Sequence, residues 1–320
     1  MNILITGALG HIGSRFIHSL RPGEFDRVVL VDNLATQRYA SLFNLPNGVP
    51  FHFIEEDIFK ADLDSLLAGV DVVIHLAAVT DATRSFEIQD QVERVNHEGT
   101  EKVALACIRN RCSLIFISST SVYGTQQEII DESFPVAELR PQSPYADIKL
   151  KSEEMLRGLG EREGLRFITC RFGTIFGVSP GMRFHTAVNK FVWQACLGRP
   201  LTVWRTAMDQ KRPYLDVDDA ARALRFILGR SHYDNRIYNV LTANATVRDI
   251  VEIIRSHIKD VQIAYVDTKI MNQLSYHVLS ERFQALGFTF TGSLPEGIGQ
   301  TIQLLRNVRS TDIPDSRSTP

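Results

Sequence analysis

What the chain lacks narrows its chemistry first. Cysteine is scarce: Cys107, Cys112, Cys170 and Cys196 are the four in 320 residues, and none form a Cys-x-x-Cys pair. That usage excludes a disulfide scaffold and offers no thiolate metal site, so reduced thiols in a cytoplasmic protein are the expectation. The nine histidines include no pair with a helical carboxylate partner, and no metal is expected. The net charge of −2 leaves no basic surplus for nucleic acid or an anionic membrane surface. No apolar run approaches the roughly 20 residues of a membrane span. The opening "MNILITG" has neither the basic head nor the cleavage site of a signal peptide, and it reads directly as a strand. Internal repeats and low-complexity linkers are also missing.

What is present is an ordinary globular composition, 44% hydrophobic and 22% charged, over a length that supports one large domain or two intimate ones. The first half alternates strand and helix. "ILIT" (3–6), "RVVLVD" (27–32), "FHFIEED" (51–57), "DVVIHLAA" (71–78) and "SLIFISS" (113–119) are apolar runs rich in β-branched residues, and "RFITCRF" (166–172) is a sixth. Such continuous runs imply burial on both faces, hence a parallel sheet between helices in a doubly wound α/β fold. One long helical pattern, Glu87 to Asn110, separates the fourth and fifth runs. The second half is mixed. "FHTAVNKFVWQACLG" reads as a helix ended by Gly198, "PLTVW" and "VQIAYV" as strands, and "DDAARALRFILG", "TVRDIVEIIRSHI", "SERFQALG" and "PEGIGQTIQLLRNV" as helices. Residues 1–172 are expected to form a dinucleotide-binding unit to which 213–242 return. Residues 173–308 should form a smaller substrate-binding region, and 309–320 a disordered tail.

"ITGALGHIGS" follows the first strand and opens the first helix. Gly7, Gly10 and Gly13 let the backbone turn tightly and approach a pyrophosphate, and the N–H groups at His11, Ile12 and Gly13 begin a helix whose positive dipole end suits an anion. Asp32 closes the second strand, where an acid accepts bonds from adenosine ribose hydroxyls. The residue after it is Asn33 rather than arginine, which favours NAD over NADP. Asp57 and Ile58 end the third strand, the place for an adenine edge contact. Leu76, Ala77 and Ala78 end the fourth, where small residues let a dinucleotide lie close.

In "QSPYADIKLKSEEML", Ser143 can cap a helix and Pro144 suits its first position. Ile148, Met155, Leu156 and Leu159 share one face, with Tyr145 and Lys149 together at the edge of that stripe. A free phenol near pKa 10 is a poor base. An ammonium one turn away, with a cationic nicotinamide ring, would lower it.

With these residues in view the chain resembles the extended short-chain dehydrogenase/reductase family, in its NAD-dependent epimerase/dehydratase branch. The resemblance runs from Met1 to about residue 306, on "TGALGHIGS", "VDNL", "EEDI", "HLAA", "VNHEGT", "SSTSVYG", "SPYADIK", "RFGTIFG" and "QKRPYLDVDDAARA". It implies a Rossmann-type sheet, bound NAD and hydride chemistry at a nucleotide sugar. By that resemblance Tyr145 is the base and acid, Lys149 binds the nicotinamide ribose, and Ser119 meets the sugar hydroxyl being oxidised. Asn96 organises the site beside the cofactor. A homodimer through the Glu87–Asn110 and Tyr145–Leu159 helices is implied as well.

The branch of chemistry is read from departures. Dehydratases of this family carry an acid after the active hydroxyl, whereas this chain has Thr120 and Ser121, so a 4-epimerase is expected. The asparagine usual in R-x-x-N-x-Y/F-G is replaced by Thr174. Arg212 still matches an arginine that clamps sugar-nucleotide phosphates. Arg183, His185, Asn189, Lys190 and Trp193 are expected along one wall of the cleft. An oxidoreductase on another sugar or polyol is the alternative. A non-enzymatic dinucleotide sensor is disfavoured by the intact Tyr145–Lys149 pair.

Overall fold

The structure, a computed structural model, describes residues 1–124, 128–267 and 275–308. The tail expected to be disordered at 309–320 lies outside them. Along the chain, β1 (Asn2–Thr6) leads into α1 (His11–His18), followed by β2 (Arg27–Asp32), β3 (Phe51–Glu55), α2 (Leu63–Leu67) and β4 (Val72–His75). Next come α3 (Gln89–Glu93), a π-helical segment (Arg94–Glu98), α4 (Gly99–Asn110), β5 (Ser113–Ser119), the short β6 (Ile129–Ile130), α5 (Pro144–Glu163) and β7 (Phe167–Phe172). The remainder is β8 (Thr174–Phe176), α6 (Ala187–Cys196), β9 (Leu201–Trp204), β10 (Arg212–Asp216), α7 (Val217–Arg230), β11 (Ile237–Val240), β12 (Ala243–Ala245), α8 (Val247–His257), β13 (Ile263–Val266), β14 (His277–Val278), α9 (Glu281–Ala285) and α10 (Leu294–Leu305).

Seven strands form one sheet in the order β3-β2-β1-β4-β5-β7-β11, and every neighbouring pair is parallel. Strand order reverses between β1 and β4, so a crevice opens there beyond the carboxyl ends of the strands. The apolar runs predicted this sheet because its central strands are covered on both sides. On one side Phe16, Ile17, Leu224 and Ile227 of α1 and α7 pack on it; on the other Val103, Cys107, Leu156 and Leu159 of α4 and α5 do. β11 carries no strand signal of its own in the sequence, since Asn239 interrupts its short apolar run. Position rather than composition makes it one: α7 brings the chain back beside β7.

Smaller sheets flank this body. β10 joins β8 in parallel and β12 in antiparallel fashion, β13 pairs with β9, and β14 with β6. A separate core of Phe176, Val188, Leu201, Tyr214, Ile250, Ile254 and Ile298 holds α6, α8 and α10 around them. The cap signals are realised. Ser143 accepts from the Ala146 N–H with Pro144 at the first turn of α5, and Thr246 and Asp249 make a reciprocal capping box on α8. Gly198 follows α6 at φ +67°.

Two readings are corrected. The single helix expected from Glu87 to Asn110 begins at Gln89 and is interrupted by the π-helical turn Arg94–Glu98. A π-turn adds a residue to the ring and turns the next side chains onto a new face, which periodicity counting cannot anticipate. Second, Lys149 is not at the edge of the α5 stripe. The inward face is Ala146, Lys149, Ser152, Glu153, Leu156 and Leu159, and Lys149 is only 4% exposed. Polar residues can occupy the middle of that face because each meets a partner, Lys149 the Ile117 carbonyl and Ser152 the Asn96 carbonyl. Glu153 is held by Arg171 through bonds of 2.9 and 2.6 Å and by the Ser118 hydroxyl.

Candidate active site

The glycine loop fits a dinucleotide pyrophosphate on its own geometry. Gly7 has φ +64°, and a Cβ there would lie on the Ala77 backbone. A Cβ on Gly13 would overlap the Ala8 carbonyl. A Cβ on Gly10 would press more mildly, 3.3 Å from the Gly7 carbonyl oxygen, and Gly10 stands at the N-cap of α1 with no side-chain cap. The first N–H groups of that helix are therefore left to a ligand, as an anion site requires. Two arginines add positive charge. Arg38 approaches Gly10 and is attracted to Asp32, and Arg183 is near enough to Arg38 for mutual repulsion. Among the described residues neither has an ion-pair partner within 4 Å, and the Nε of Arg183 is buried without a hydrogen bond. Arg38 escaped sequence reasoning, being a lone arginine in a short turn.

A second segment closes over this loop. Gly181 donates its N–H to the Ser14 hydroxyl (2.9 Å), and Ser14 donates to Ser179. A Cβ on Gly181 would overlap the Leu9 carbonyl oxygen. The His11 ring meets the Gly177 carbonyl at 2.9 Å. Burial holds that imidazole at about pKa 3, and the Arg183 charge adds to the effect. The His11 ring is therefore taken up by the 177–181 segment, and what it can offer an anion is its N–H at the start of α1.

The acids at the strand ends are pre-set. Asp32 accepts from the Leu9 and Leu34 N–H groups at 3.0 Å each. Asn33 donates to Asp57 (3.0 Å), which also accepts from the Phe59 N–H. Ile58 is buried against the position of Gly99. Asn96 does not reach the cleft. It is fully buried, with its amide bonded to the N–H and C=O of Val79 at 2.8 and 2.7 Å. Its role is to brace the chain beyond Leu76, Ala77 and Ala78.

A cavity of about 650 Å³ opens next to that brace. Ile12, Leu76, Ala78, Ser119, Thr120, Ser121, Tyr145 and Lys149 line one end; Thr174, Arg183, Lys190, Trp204, Arg212 and Tyr276 line the rest. The sequence-predicted Ser119, Thr120, Tyr145, Lys149, Thr174 and Arg212 thus come together. Asn189 does not join them. It is fully buried, accepting from the Gly177 N–H and donating to the Arg183 carbonyl. Trp193 instead packs on Phe184, with ring centroids 5.1 Å apart. Of the expected wall, Arg183, His185 and Lys190 face the cavity.

Ser119 stands beside Tyr145, close enough to favour its phenolate form. Lys149 lies beneath them, donating to the Ile117 carbonyl (2.7 Å) with its ammonium 4.8 Å from the Phe116 ring centre. Burial lowers Lys149 to about pKa 8, against the opposing pull of Glu153. The phenol departs from expectation. Burial raises Tyr145 above its ordinary value, and the Arg183 charge and Ser119 offset this only in part. Lys149 is not the neighbour that lowers it, because its ammonium is turned toward the Ile117 carbonyl. Asp81 is the one carboxylate among the lining residues, and its Oδ1 is engaged by the Thr83 and Arg84 N–H groups.

These features are those of a known group of proteins. The sequence model described as the NAD dependent epimerase/dehydratase family matches residues 3–240. The chain belongs to that family. It is an NAD-dependent enzyme of the extended short-chain dehydrogenase/reductase type. An uncharacterized UDP-glucose epimerase, YtcB of Bacillus subtilis, is 29% identical over 96% of this chain and 99% of its own. The UDP-glucose 4-epimerase of Azospirillum brasilense is 32% identical over 69% of this chain and 66% of its own. Among solved structures, MoeE5 in complex with UDP-glucuronic acid and NAD superposes with TM-score 0.82 at 27% identity. The UDP-glucuronic acid 4-epimerase of Bacillus cereus, in complex with UDP-glucuronic acid and NAD, does so with TM-score 0.84 at 25% identity. Each comparison covers 96% of this chain and 99% of the other.

Proposed function

We propose that this enzyme is a nucleotide-sugar 4-epimerase working through a transient 4-keto sugar, with Tyr145 as base and acid. One observation carries the reading: Ser119, Tyr145 and Lys149 share a cleft whose next two positions, Thr120 and Ser121, are hydroxyls. Water elimination from the sugar would need an acid and a base there, and neither is present. Bound between the glycine loop and Lys149, NAD would supply the acceptor and donor of the C4 hydride. Tyr145 accepts the C4 hydroxyl proton as the ketone forms and gives it back as the ketone is reduced on its other face. Ser119 orients that hydroxyl. Lys149 fixes the cofactor ribose from below, and the Arg183 charge and Ser119 favour the phenolate.

Asp32, Asn33, Asp57 and Ile58 serve the adenosine end, while Gly7, Gly10, His11, Ile12 and Gly13 serve the pyrophosphate by their backbone. Thr120, Thr174 and Arg212 meet the substrate, and the UDP-sugar ligands of the neighbours support a nucleotide-linked sugar. The same reading divides the chain into a cofactor part, residues 1–172 with 213–242, and a substrate part, and it makes the enzyme a cytoplasmic homodimer. Light scattering checks the dimer. For the chemistry, Tyr145→Phe should retain NAD and lose turnover about 10³-fold, within the range of general acid–base catalysis. Full turnover in that variant sinks the mechanism. Net NADH accumulation by the wild type would favour the oxidoreductase alternative.

A further inference from the structure

A buried chain of hydrogen bonds links the glycine-loop strand to the wall of the cleft, and His75 is its centre. The ring Nδ1 is 2.7 Å from the Thr6 hydroxyl, and Nε2 is 3.1 Å from the Thr100 hydroxyl. Both ends of the chain are fixed by backbone. The Thr100 hydroxyl donates to the Asn96 carbonyl at 2.6 Å, so its single proton is used and it can only accept from His75. Nε2 therefore carries the ring proton. Nδ1 then accepts from Thr6, whose oxygen accepts in turn from the Ala77 N–H at 3.3 Å. The order of protons from Ala77 to Asn96 is determined at every step.

The β1–β4 ladder already sets Thr6 opposite His75, and the chain carries that register on through side chains to the π-helical turn. Thr6 ends β1 just before Gly7, and Ala77 begins the segment leading to the cleft. Asn96 lies in the π-helical turn, which presents its carbonyl to Thr100 and its amide to Val79. Beyond Val79, residues 80–83 line the cavity, and the Ser85 hydroxyl accepts from the Tyr145 N–H. His75 itself is 3% exposed. Burial and the nearby Lys149 charge hold it at about pKa 3, so the ring is neutral throughout the working range.

We propose that His75, as the neutral Nε2–H tautomer, is a positioning residue of the cofactor site, setting the Leu76–Thr83 wall against the glycine loop. The proposal rests on the cleft being the NAD site. A protonated ring would turn Nδ1 into a donor and leave the Thr6 proton without an acceptor.

Two measurements test it. Long-range ¹⁵N–¹H correlation of the labelled enzyme, with the His75 signals assigned by their loss in His75→Phe, should show the proton on Nε2 from pH 8 to pH 5. A proton on Nδ1, or titration in that interval, overturns the assignment. In the second, NAD dissociation from His75→Phe, which loses both ring bonds, should be about tenfold faster than from the wild type, and the KM for NAD should rise more than kcat falls. If that variant does not fold, Thr100→Val breaks the chain one bond further on and should act in the same direction. A lowered Tm with unchanged NAD dissociation would make His75 structural only. A wild-type enzyme that holds no NAD would instead refute the cofactor reading, which the tautomer measurement does not depend on.

Discussion

Replacing Lys149 with methionine should disable the enzyme and stabilise it near neutral pH. The ammonium is 4% exposed, and burial lowers it from an ordinary 10.5 to about 8. At ~1.4 kcal/mol per tenfold, keeping this charge inside costs the folded state about 3 kcal/mol. Methionine has similar length and no charge. It forfeits the bond to Ile117 and the contact with Phe116, together about 1 to 2 kcal/mol. A net gain of about 1 to 2 kcal/mol at pH 7 follows. The sign of the pH dependence is fixed by the same values. Between pH 8 and 10.5 the unfolded wild type binds more protons than the folded, so its stability rises with pH across that window. The penalty is fully present below pH 8 and gone above 10.5. Urea unfolding of nucleotide-free wild type and Lys149→Met at pH 7 and pH 10 reads both effects. The variant should be ahead at the lower pH and lose that lead at the higher. A variant less stable at pH 7, or a difference that ignores pH, would show that the buried charge is not the costly element.

Two other substitutions probe the surroundings. Gly181→Ala places a methyl against the Leu9 carbonyl and should lift the 177–181 segment from the glycine loop, weakening NAD binding at least tenfold by calorimetry. Glu153→Ala strands the Arg171 guanidinium in the interior and should cost about 3 to 5 kcal/mol in urea unfolding. Glu153→Met with Arg171→Met should recover most of that loss, because no charge is then left unpaired.

The sequence was legible where one physical requirement acts alone. Continuous β-branched runs can only be strands covered on both faces, and Gly7 and Gly13 stand where any side chain meets backbone. The Ser143–Pro144 cap likewise needs nothing beyond its own turn. Legibility failed where two distant segments decide together. Glu153 is tolerable inside α5 only because Arg171 and Ser118 face it from β7 and β5. Asn189 is a plausible ligand until the Gly177 and Arg183 backbones take its amide. The Tyr145 phenol was expected to be lowered by Lys149, one turn away, but proximity in sequence did not reveal that the ammonium bonds to Ile117. The π-helical turn was hidden for the same reason: what favours it is a bond made to Val79, 17 residues earlier.

The chain passes three times between the seven-stranded sheet and its three-stranded neighbour. It leaves at Gly173, returns at Asp216 and leaves again at Leu241. These crossings are tied side by side: the Gly173 N–H donates to Val240, and the Asp216 N–H donates to the Thr242 hydroxyl. Two bodies joined by one strand can swivel, twist and separate. Three adjacent links instead tie the two sheets edge to edge, and the return of α9 to the main core through Phe283 and Phe288 adds a further tie. Gly173 and Pro213, which lie against each other at these links, both line the cavity, so that part of its wall is set by backbone rather than by side chains.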